Sequence, residues 1–309
     1  MTLHPEIKNT LDSMPHEDSK QKVIPEEARK FMNIPATPIE KRVPVYSLED
    51  KNVPTPEMNI PVRIYTPEEK DYYPVLMYFH GGAFFSGNIE SHDDIVRAIS
   101  MESGYKVIAV DYRLAPEHPF PAALQDCYEV TKWATEHKEE LNWDGEKLAV
   151  AGDSSGGNLA AAVSLMSRQK QEFSITKQVL YYPSLDLDLS EFRYESLIEN
   201  GKGYGLESDV LAEFNSFYLS DSADPNDPMV SPIKEKNLEN LPATLVITAE
   251  HDPLRDEGEL FAENLRNSDV SVELKRYKGA VHGFLGKFTH LDEYMGVYHL
   301  TGYFLNKNL

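Results

Sequence analysis

Short apolar runs recur along the chain from about residue 58, and stretches with helical spacing separate them. Residues 60–65 alternate like a half-exposed strand, and the later runs lie at 75–79, 107–110, 148–151, 179–182 and 245–247, with a partly alternating run at 270–277. Runs that are apolar on both faces are typical of central strands in a parallel sheet that helices cover on each side. The pattern therefore predicts a doubly wound α/β fold.

Residues 1–50 depart from this alternation, because repeated prolines leave room only for short helices between them. Ile7, Leu11 and Met14 fall at helical spacing. Residues 25–27 (Pro-Glu-Glu) are typical of the first turn of a helix, where proline is tolerated and acidic side chains interact well with the helix dipole. We expect a small helical appendage at this end of the chain.

A second departure lies at residues 185–230, which show no strand pattern. Apolar side chains fall there at helical spacing after a candidate N-cap at Ser208. These side chains belong to Val210, Phe214, Phe217 and Tyr218. The segment is therefore predicted to be a helical insertion between two strands, and its apolar face would serve either core packing or a lid over a site.

The composition excludes several classes of protein. Of the 309 residues, 41% are hydrophobic, which allows a sizeable buried core. The formal net charge of −21, from 30 basic and 51 acidic residues, would repel nucleic-acid phosphates and anionic lipid headgroups. No run approaches the roughly 18 apolar residues of a membrane span. We therefore expect neither a nucleic-acid partner nor a membrane partner.

The remaining compositional signals concern the cellular compartment. Cys127 is the single cysteine, so an intramolecular disulfide is excluded. Residues 1–6 have neither the basic region nor the apolar region of a secretory signal. We expect a cytoplasmic protein.

The clearest chemical motif is Gly-Asp-Ser-Ser-Gly at residues 152–156, with Ser154 at its centre. The apolar run 148–151 precedes it, and small residues typical of a tightly packed helix follow it. A nucleophile elbow needs this order of strand, strained turn and helix. A glycine-rich phosphate site at a helix N-terminus is the alternative, but the segment has neither the Walker ending nor G-x-G-x-x-G. We predict that Ser154 is a nucleophile.

A second motif, His-Gly-Gly-Ala-Phe at residues 80–84, directly follows the apolar run 75–79. Acyl transfer passes through a tetrahedral oxyanion, which a loop of small residues stabilises with backbone N–H donors. The predicted donors of this oxyanion hole are the backbone amides of Gly81, Gly82, Ala83 and Ser155. In the simpler alternative, His80 and the glycines only form a tight turn.

An acid and a base are expected after the serine, in that order and each in a loop that follows a later strand. Asp252 follows the apolar run 245–247, and His282 follows the run 270–277. We therefore predict that these two residues complete a Ser-Asp-His triad.

Other acids and histidines compete for the same two roles. Glu250 and Asp256 are near the predicted acid in sequence, but they fit the turn at the strand's end less well. His251 precedes the acid and so breaks the expected order. Lone histidines such as His118 and His290 more often belong to the surface or the core.

Together these motifs resemble the hormone-sensitive-lipase-like branch of the α/β-hydrolases, the microbial carboxylesterases also called family IV. The matching segments are residues 80–84, 111–117, 152–158, 252–256 and 282–284, which occur in order over most of the chain. The resemblance implies an α/β-hydrolase fold with a mostly parallel sheet of about eight strands, helices on both faces and a helical cap. It also assigns the triad to Ser154, Asp252 and His282, and suggests a homodimer through an edge strand or its neighbouring helix.

The resemblance also divides the chain, since the cap in this family combines an N-terminal segment with an insertion before the last strands. The predicted parts are a cap segment at 1–50, core at 51–184, a cap insertion at 185–230 and core at 231–309. The sequence departs from the family pattern at Ala83, more usually glycine, and at Ser155, often alanine. Both residues keep their backbone N–H, so we expect the chemistry to survive, while the Ala83 methyl narrows the site.

These observations predict a serine carboxylesterase that hydrolyses short- to medium-chain esters through an acyl-enzyme, with no metal or organic cofactor. The predicted lining of the acyl pocket is Phe84, Phe85 and Phe214. Amide or peptide hydrolysis by the same triad is an alternative. A non-catalytic binder of small molecules is another, although retention of all three triad residues favours catalysis.

Overall fold

The computed structural model describes residues 3–13, 22–33, 37–190, 193–220 and 223–308. The strands within these ranges are β1 Ser47–Pro54, β2 Asn59–Thr66, β3 Tyr73–Phe79, β4 Lys106–Val110, β5 Trp143–Asp153, β6 Lys177–Tyr181, β7 Ala243–His251 and β8 Val272–Val281. They form one eight-stranded sheet in the order β1-β2-β4-β3-β5-β6-β7-β8. The β1–β2 and β2–β4 pairs are antiparallel and the others are parallel. The prediction of a mostly parallel sheet of about eight strands is confirmed.

Helices cover both faces of this sheet, because successive strand residues point to opposite sides. The helices are α1 Pro5–Ser13, α2 Pro25–Met32, α3 Asp93–Ser103, α4 Ala122–Glu136, α5 Lys138–Leu141, α6 Ser155–Lys170, α7 Glu195–Glu199, α8 Ser208–Leu219, α9 Arg255–Asn267, α10 Phe284–Lys287 and α11 Asp292–Asn306. From β3, Val75, Met77 and Phe79 pack with α4, α6 and α9, whereas Leu76 and Tyr78 pack with α3 and α11. The strand is buried on both faces, as its apolar sequence predicts.

The hydrophobic pattern did not reveal β1. Most of its side chains are exposed, and Val53 is the one that is fully buried. An edge strand of this kind needs few apolar residues, since its backbone pairs with β2 along one side only. Because β1 begins at Ser47, the sheet starts slightly before the boundary predicted at residue 50.

The N-terminal segment contains α1 and α2, which are short as the spacing of the prolines predicts. Ile7 is buried on α1. Met14, which shares the helical spacing of Ile7 and Leu11, lies outside the described residues. Helix α2 begins at Pro25, as its Pro-Glu-Glu sequence predicts.

The predicted insertion contains α7 and α8 between β6 and β7. Ser208 is not the N-cap of α8, because the cap position is occupied by Glu207 and Ser208 begins the helix itself. The Ser208 hydroxyl instead donates a hydrogen bond to the Leu197 carbonyl at 2.7 Å. This contact joins the start of α8 to the middle of α7.

Of the helices in the described ranges, none combines the length and the apolar character that crossing a membrane would need.

Candidate active site

Two central strands bring the predicted motifs together. β3 and β5 are neighbours, and Phe79 pairs with Gly152 at their carboxyl ends. β4 lies on one side of this pair and β6 on the other, so the strand order reverses here. Ligands of open α/β sheets bind beyond the carboxyl ends of the strands at such a point. The loop that starts at residue 80 and the turn around Ser154 both begin there.

Ser154 occupies a strained turn between β5 and α6, with φ 55° and ψ −118°. Residues other than glycine rarely adopt positive φ, and such strain is concentrated at functional sites. The Ser154 N–H donates to the Tyr181 carbonyl at 2.9 Å, which fixes the turn against the end of β6. Gly156 permits the close approach of helix and sheet, since a Cβ there would lie 2.0 Å from the Phe79 carbonyl oxygen. The turn has the form of a nucleophile elbow.

The structure brings Ser154, His282 and Asp252 into one hydrogen-bonded chain. His282 Nε2 lies 3.0 Å from Ser154 Oγ, and His282 Nδ1 lies 2.8 Å from Asp252 Oδ2. Because a carboxylate only accepts, Nδ1 carries the proton and Nε2 accepts from the serine hydroxyl. Asp252 is fully buried, and its Oδ1 accepts the Leu254 N–H at 2.8 Å. The Tyr182 ring stands edge-on to the imidazole at 4.9 Å between centroids and limits its rotation.

The competing acids and histidine are engaged elsewhere. Glu250 Oε2 accepts a backbone N–H of β8 at 2.7 Å. Asp256 Oδ1 accepts from the neighbouring Arg255 at 2.7 Å. The His251 ring stacks on Tyr204 with centroids 4.8 Å apart. Within the described residues, these contacts leave Asp252 as the partner of the imidazole.

The loop after β3 has an unusual backbone conformation and leaves some of its amides without an acceptor. Gly82, Ala83 and Phe84 have φ of 127°, 52° and 64° in succession. The first of these values favours glycine, and the other two are left-handed conformations that cost free energy for residues with a Cβ. No described part of the protein accepts a hydrogen bond from the amides of Gly82, Ala83 or Ser155. These three donors are free to bind an oxyanion.

Gly81 is a correction to the predicted donor set, because its amide is already used. The Gly81 N–H donates to Asp153 Oδ1 at 2.9 Å, and the Tyr78 hydroxyl donates to the same oxygen at 2.7 Å. Asp153 Oδ2 lies 3.5 Å from His92 Nε2. Burial alone would raise the pKa of Asp153, but His92 and the hydrogen-bond donors hold it below its ordinary value. This carboxylate therefore braces the loop from the side of the core.

Sequence reasoning gave Asp153 and His92 no role. A signal existed for Asp153, since an acidic residue stands among the small residues of the serine motif. His92 lies at the N-terminus of α3 and has no motif that would mark it. Its proximity to Asp153 arises only when α3 packs against the sheet.

His80 acts as a structural residue of this loop. Its ring is buried and stacks on Tyr112 with centroids 4.2 Å apart. Nδ1 lies 2.8 Å from the Gly81 carbonyl oxygen. Burial, with a smaller effect of His92, lowers the pKa of His80 to about 3, so its ring is neutral at pH 7.

The predicted acyl-pocket residues on the loop pack against the insertion instead. Phe84 stacks on Tyr218 of α8 with centroids 3.8 Å apart, and Phe85 contacts Phe214 and Phe217 at 5.0 and 5.2 Å. Phe84 is 1% exposed and Phe85 0% exposed, so neither lines an open pocket in this structure. Burial of these apolar rings against α8 removes them from water and so stabilises the folded protein. For Phe214, which is partly buried, the assignment stays a prediction.

A second buried carboxyl group lies near the triad acid. Glu257 on α9 is 0% exposed, and its Oε1 accepts the Leu185 N–H at 2.6 Å. Its Oε2 has no hydrogen-bond partner among the described residues. Burial, together with the charges of Asp186 and Asp252, raises the pKa of Glu257 well above its ordinary value. The folded protein therefore keeps the Glu257 proton to a higher pH than an exposed glutamate would.

This assignment predicts a pH-dependent effect of Glu257→Gln on stability. Above about pH 4.5 the unfolded chain ionises Glu257, while the folded protein keeps the proton to a higher pH, so the free energy of unfolding falls as pH rises between the two pKa values. Glutamine removes this contribution. Urea unfolding between pH 5 and pH 7 should therefore show that the variant gains stability relative to the wild type as pH rises.

The control for this measurement is Glu239→Gln, because Glu239 is an exposed glutamate. Its difference from the wild type should stay constant over the same range of pH. A constant difference for Glu257→Gln as well would contradict a raised pKa of Glu257 in the folded protein.

The described ranges contain no group of three or more His, Cys, Asp or Glu side chains that could hold a metal ion. Cys127 is buried on α4 among core side chains. The side chains that form one hydrogen-bonded chain with Ser154 in the described structure are the imidazole of His282 and, behind it, the carboxylate of Asp252.

Comparisons with known proteins agree with this geometry. A family model for the alpha/beta hydrolase fold matches residues 76–286. An arylesterase of Saccharolobus solfataricus is 37% identical over 293 residues, which cover 93% of each chain. A carboxylesterase of Mycobacterium tuberculosis is 36% identical over 289 residues, which cover 92% of this chain and 89% of the relative.

Solved structures extend the agreement to three dimensions. A hyperthermophilic esterase from the archaeon Pyrobaculum calidifontis is 36% identical and superposes with a TM-score of 0.90, covering 99% of this chain and 98% of that one. The family match and both relatives span the segments that hold the serine, acid and histidine motifs. The chain therefore belongs to the hormone-sensitive-lipase-like carboxylesterases of the α/β-hydrolase superfamily.

Proposed function

We propose that this carboxylic ester hydrolase uses Ser154 as its nucleophile, His282 as general base and acid, and Asp252 as the carboxylate that orients the imidazole. The observation that carries the proposal is the continuous hydrogen-bonded chain through His282, with distances of 3.0 Å to Ser154 and 2.8 Å to Asp252. Geometry of this kind defines a catalytic triad independently of sequence position.

Acylation begins when Ser154 Oγ attacks the ester carbonyl carbon. His282 Nε2 takes the hydroxyl proton, and Asp252 stabilises the imidazolium that results. The carbonyl oxygen becomes an oxyanion and is bound by the amides of Gly82, Ala83 and Ser155, which are free in the structure. His282 then gives the proton to the leaving alkoxy oxygen, so the alcohol departs and the acyl group remains on Ser154.

Deacylation repeats these steps with water. His282 Nε2 takes a proton from water as the water oxygen attacks the acyl carbon. The same amides bind the second oxyanion. The proton returns to Ser154 Oγ, the carboxylic acid leaves, and the serine hydroxyl is restored.

We further propose that the acyl groups are short to medium in length. Phe84 stacked on Tyr218 and Phe85 packed on α8 fill the space between the oxyanion loop and the insertion. The Ala83 methyl group takes up further room beside the free amides. Both features reduce the space beside the oxyanion loop that an acyl chain could occupy.

A series of p-nitrophenyl esters from acetate to palmitate tests both parts of the proposal. We expect kcat/KM to reach its maximum below an acyl length of about ten carbons, because each further methylene that finds no apolar surface gains no binding energy. A maximum above that length would contradict the preference for shorter acyl groups. Failure to hydrolyse every ester of the series would contradict the esterase function itself.

The homodimer suggested by the family resemblance is also a proposal. Its support is that β8 is the last strand of the sheet, with one edge unpaired among the described residues. On the neighbouring helix α11, Tyr303 is 63% exposed. Cytoplasmic localisation is likewise proposed, on the charge and composition of the sequence.

A further inference from the structure

One side chain of the N-terminal segment reaches into the backbone of the oxyanion loop. Arg29 on α2 donates from Nε to the Phe85 carbonyl oxygen at 2.5 Å and from Nη2 to the Ala115 carbonyl oxygen at 2.6 Å. Its Nη1 and Nη2 also donate to the two carboxylate oxygens of Glu117, at 2.8 and 2.6 Å. A single guanidinium group therefore joins α2 to the oxyanion loop and to residues 115–117.

The carbonyl groups that Arg29 binds are linked directly to the turn that presents the oxyanion donors. The Phe85 N–H donates to the Gly82 carbonyl at 3.1 Å, which closes the turn around Ala83. The Ala115 N–H donates to the Phe84 carbonyl at 3.0 Å. Displacement of the Phe85 or Ala115 peptide would therefore turn the amides of Gly82 and Ala83 as well.

This turn needs support from outside because its own backbone is strained. Ala83 and Phe84 hold positive φ of 52° and 64°, a region that L-residues adopt only at a cost in free energy. Asp153 braces the turn from the core through the Gly81 amide. Arg29 is the corresponding polar brace on the side of the cap segment.

We propose that Arg29 is a positioning residue for the oxyanion hole, so that full catalytic rate requires α2 to be docked on the loop. This inference rests on the proposed function. The planar fork of arginine is essential to it, because lysine has one compact ammonium group and cannot bind two carbonyls and a bidentate carboxylate together. Glu117 keeps the fork oriented, and the ion pair lowers the pKa of Glu117 to about 2.

Additional contacts dock the same segment around Arg29. The Gly87 N–H donates to Asn33 Oδ1 at 2.7 Å, just beyond the end of α2. At the other end, the Val23 N–H donates to Glu213 Oε1 of α8 at 2.8 Å. These bonds hold α2 in place, but they do not contact the peptides that close the oxyanion turn.

The test compares Arg29→Ala and Arg29→Lys with Arg168→Ala. Arg168 is a matched control, since its side chain is 21% exposed against 20% for Arg29 and it also donates to two backbone carbonyls. It lies near the far end of α6, about 20 Å along the helix from the nucleophile turn. Each variant is assayed for kcat and KM on p-nitrophenyl butyrate, and its thermal midpoint is measured to establish that it is folded.

We expect both Arg29 variants to lose about 10- to 100-fold in kcat, with KM changed by less than about threefold, because misplaced donors weaken transition-state stabilisation rather than binding. Arg168→Ala should keep kcat within about twofold. Arg29→Lys keeps the positive charge but lacks the planar guanidinium group. It therefore tests the need for that group even where Arg29→Ala fails to fold. Partial recovery of kcat for Arg29→Ala on addition of ethylguanidinium would support the proposal further.

Two results would overturn the inference while leaving the esterase function intact. One is a wild-type kcat in folded Arg29 variants, and the other is an equal loss of kcat in the Arg29 and Arg168 variants. A wild-type protein that hydrolyses no ester would contradict the proposed function, and the role of Arg29 would fall with it.

Discussion

Replacing Ser154 with alanine should lower kcat for p-nitrophenyl butyrate by about 10⁶-fold. The physical reason is that Ser154 Oγ supplies the attacking oxygen, and it lies 3.0 Å from the imidazole nitrogen that takes its proton. Alanine removes that oxygen but leaves the amides of the loop and the binding surface in place. The measurement is the initial rate over a range of enzyme concentrations, with the spontaneous hydrolysis subtracted.

Two further observations make this result specific to Ser154. A fluorophosphonate probe should form one adduct on the wild type, which peptide mass spectrometry assigns to Ser154, and none at that position in the variant. Ser164→Ala is the matched control, because Ser164 is a buried serine of α6, the helix that follows Ser154, and its hydroxyl donates to the Ala160 carbonyl. It should retain kcat within about threefold. Near-normal turnover by Ser154→Ala would refute the mechanism.

Replacing Asp252 with asparagine should lower kcat by about 10⁴-fold with a small change in KM. Asp252 Oδ1 accepts the Leu254 N–H at 2.8 Å, and the oxygen of asparagine can take over that bond. Its NH₂ group then faces His282 Nδ1 and donates to it. The imidazole proton is forced onto Nε2, which points at Ser154 Oγ and can no longer accept the serine proton.

The control for this substitution is Asp256→Asn, which makes the same chemical change four residues along the chain. Asp256 binds the Ser196 backbone N–H at 2.8 Å and Arg255 at 2.7 Å, and it does not contact the imidazole. Its kcat should stay within about threefold of the wild type. A loss of less than tenfold in Asp252→Asn, or an equal loss in Asp256→Asn, would mean that the acid is wrongly assigned.

The sequence by itself determined the fold class, and it predicted the three side chains that the folded chain joins by hydrogen bonds. Continuous apolar runs indicate strands buried on both faces, and this signal depends on local composition alone. The elbow around Ser154 is equally local, because strand, strained turn and helix are consecutive in the chain. Asp252 and His282 were found from their positions after β7 and β8, since the carboxyl ends of parallel strands meet at one edge of a sheet.

Only the tertiary structure decided which groups around the serine are available. The Gly81 amide is lost as an oxyanion donor because it binds Asp153, 72 residues away in sequence. Phe84 and Phe85 turn away from an open pocket because α8 packs over them. Strand β1 was not predicted, because an exposed edge strand needs few apolar residues and so leaves little pattern in the sequence.

The role proposed for Arg29 also depends on the tertiary structure. Its contacts join residues 56 to 88 positions apart, so no local pattern in the cap segment indicates them. Hydrogen bonds of this kind depend on the distance and direction of donor and acceptor, which are fixed only when separate elements have packed. The reacting side chains of this protein can therefore be predicted from short motifs, whereas the positioning of its oxyanion amides depends on how separate elements pack.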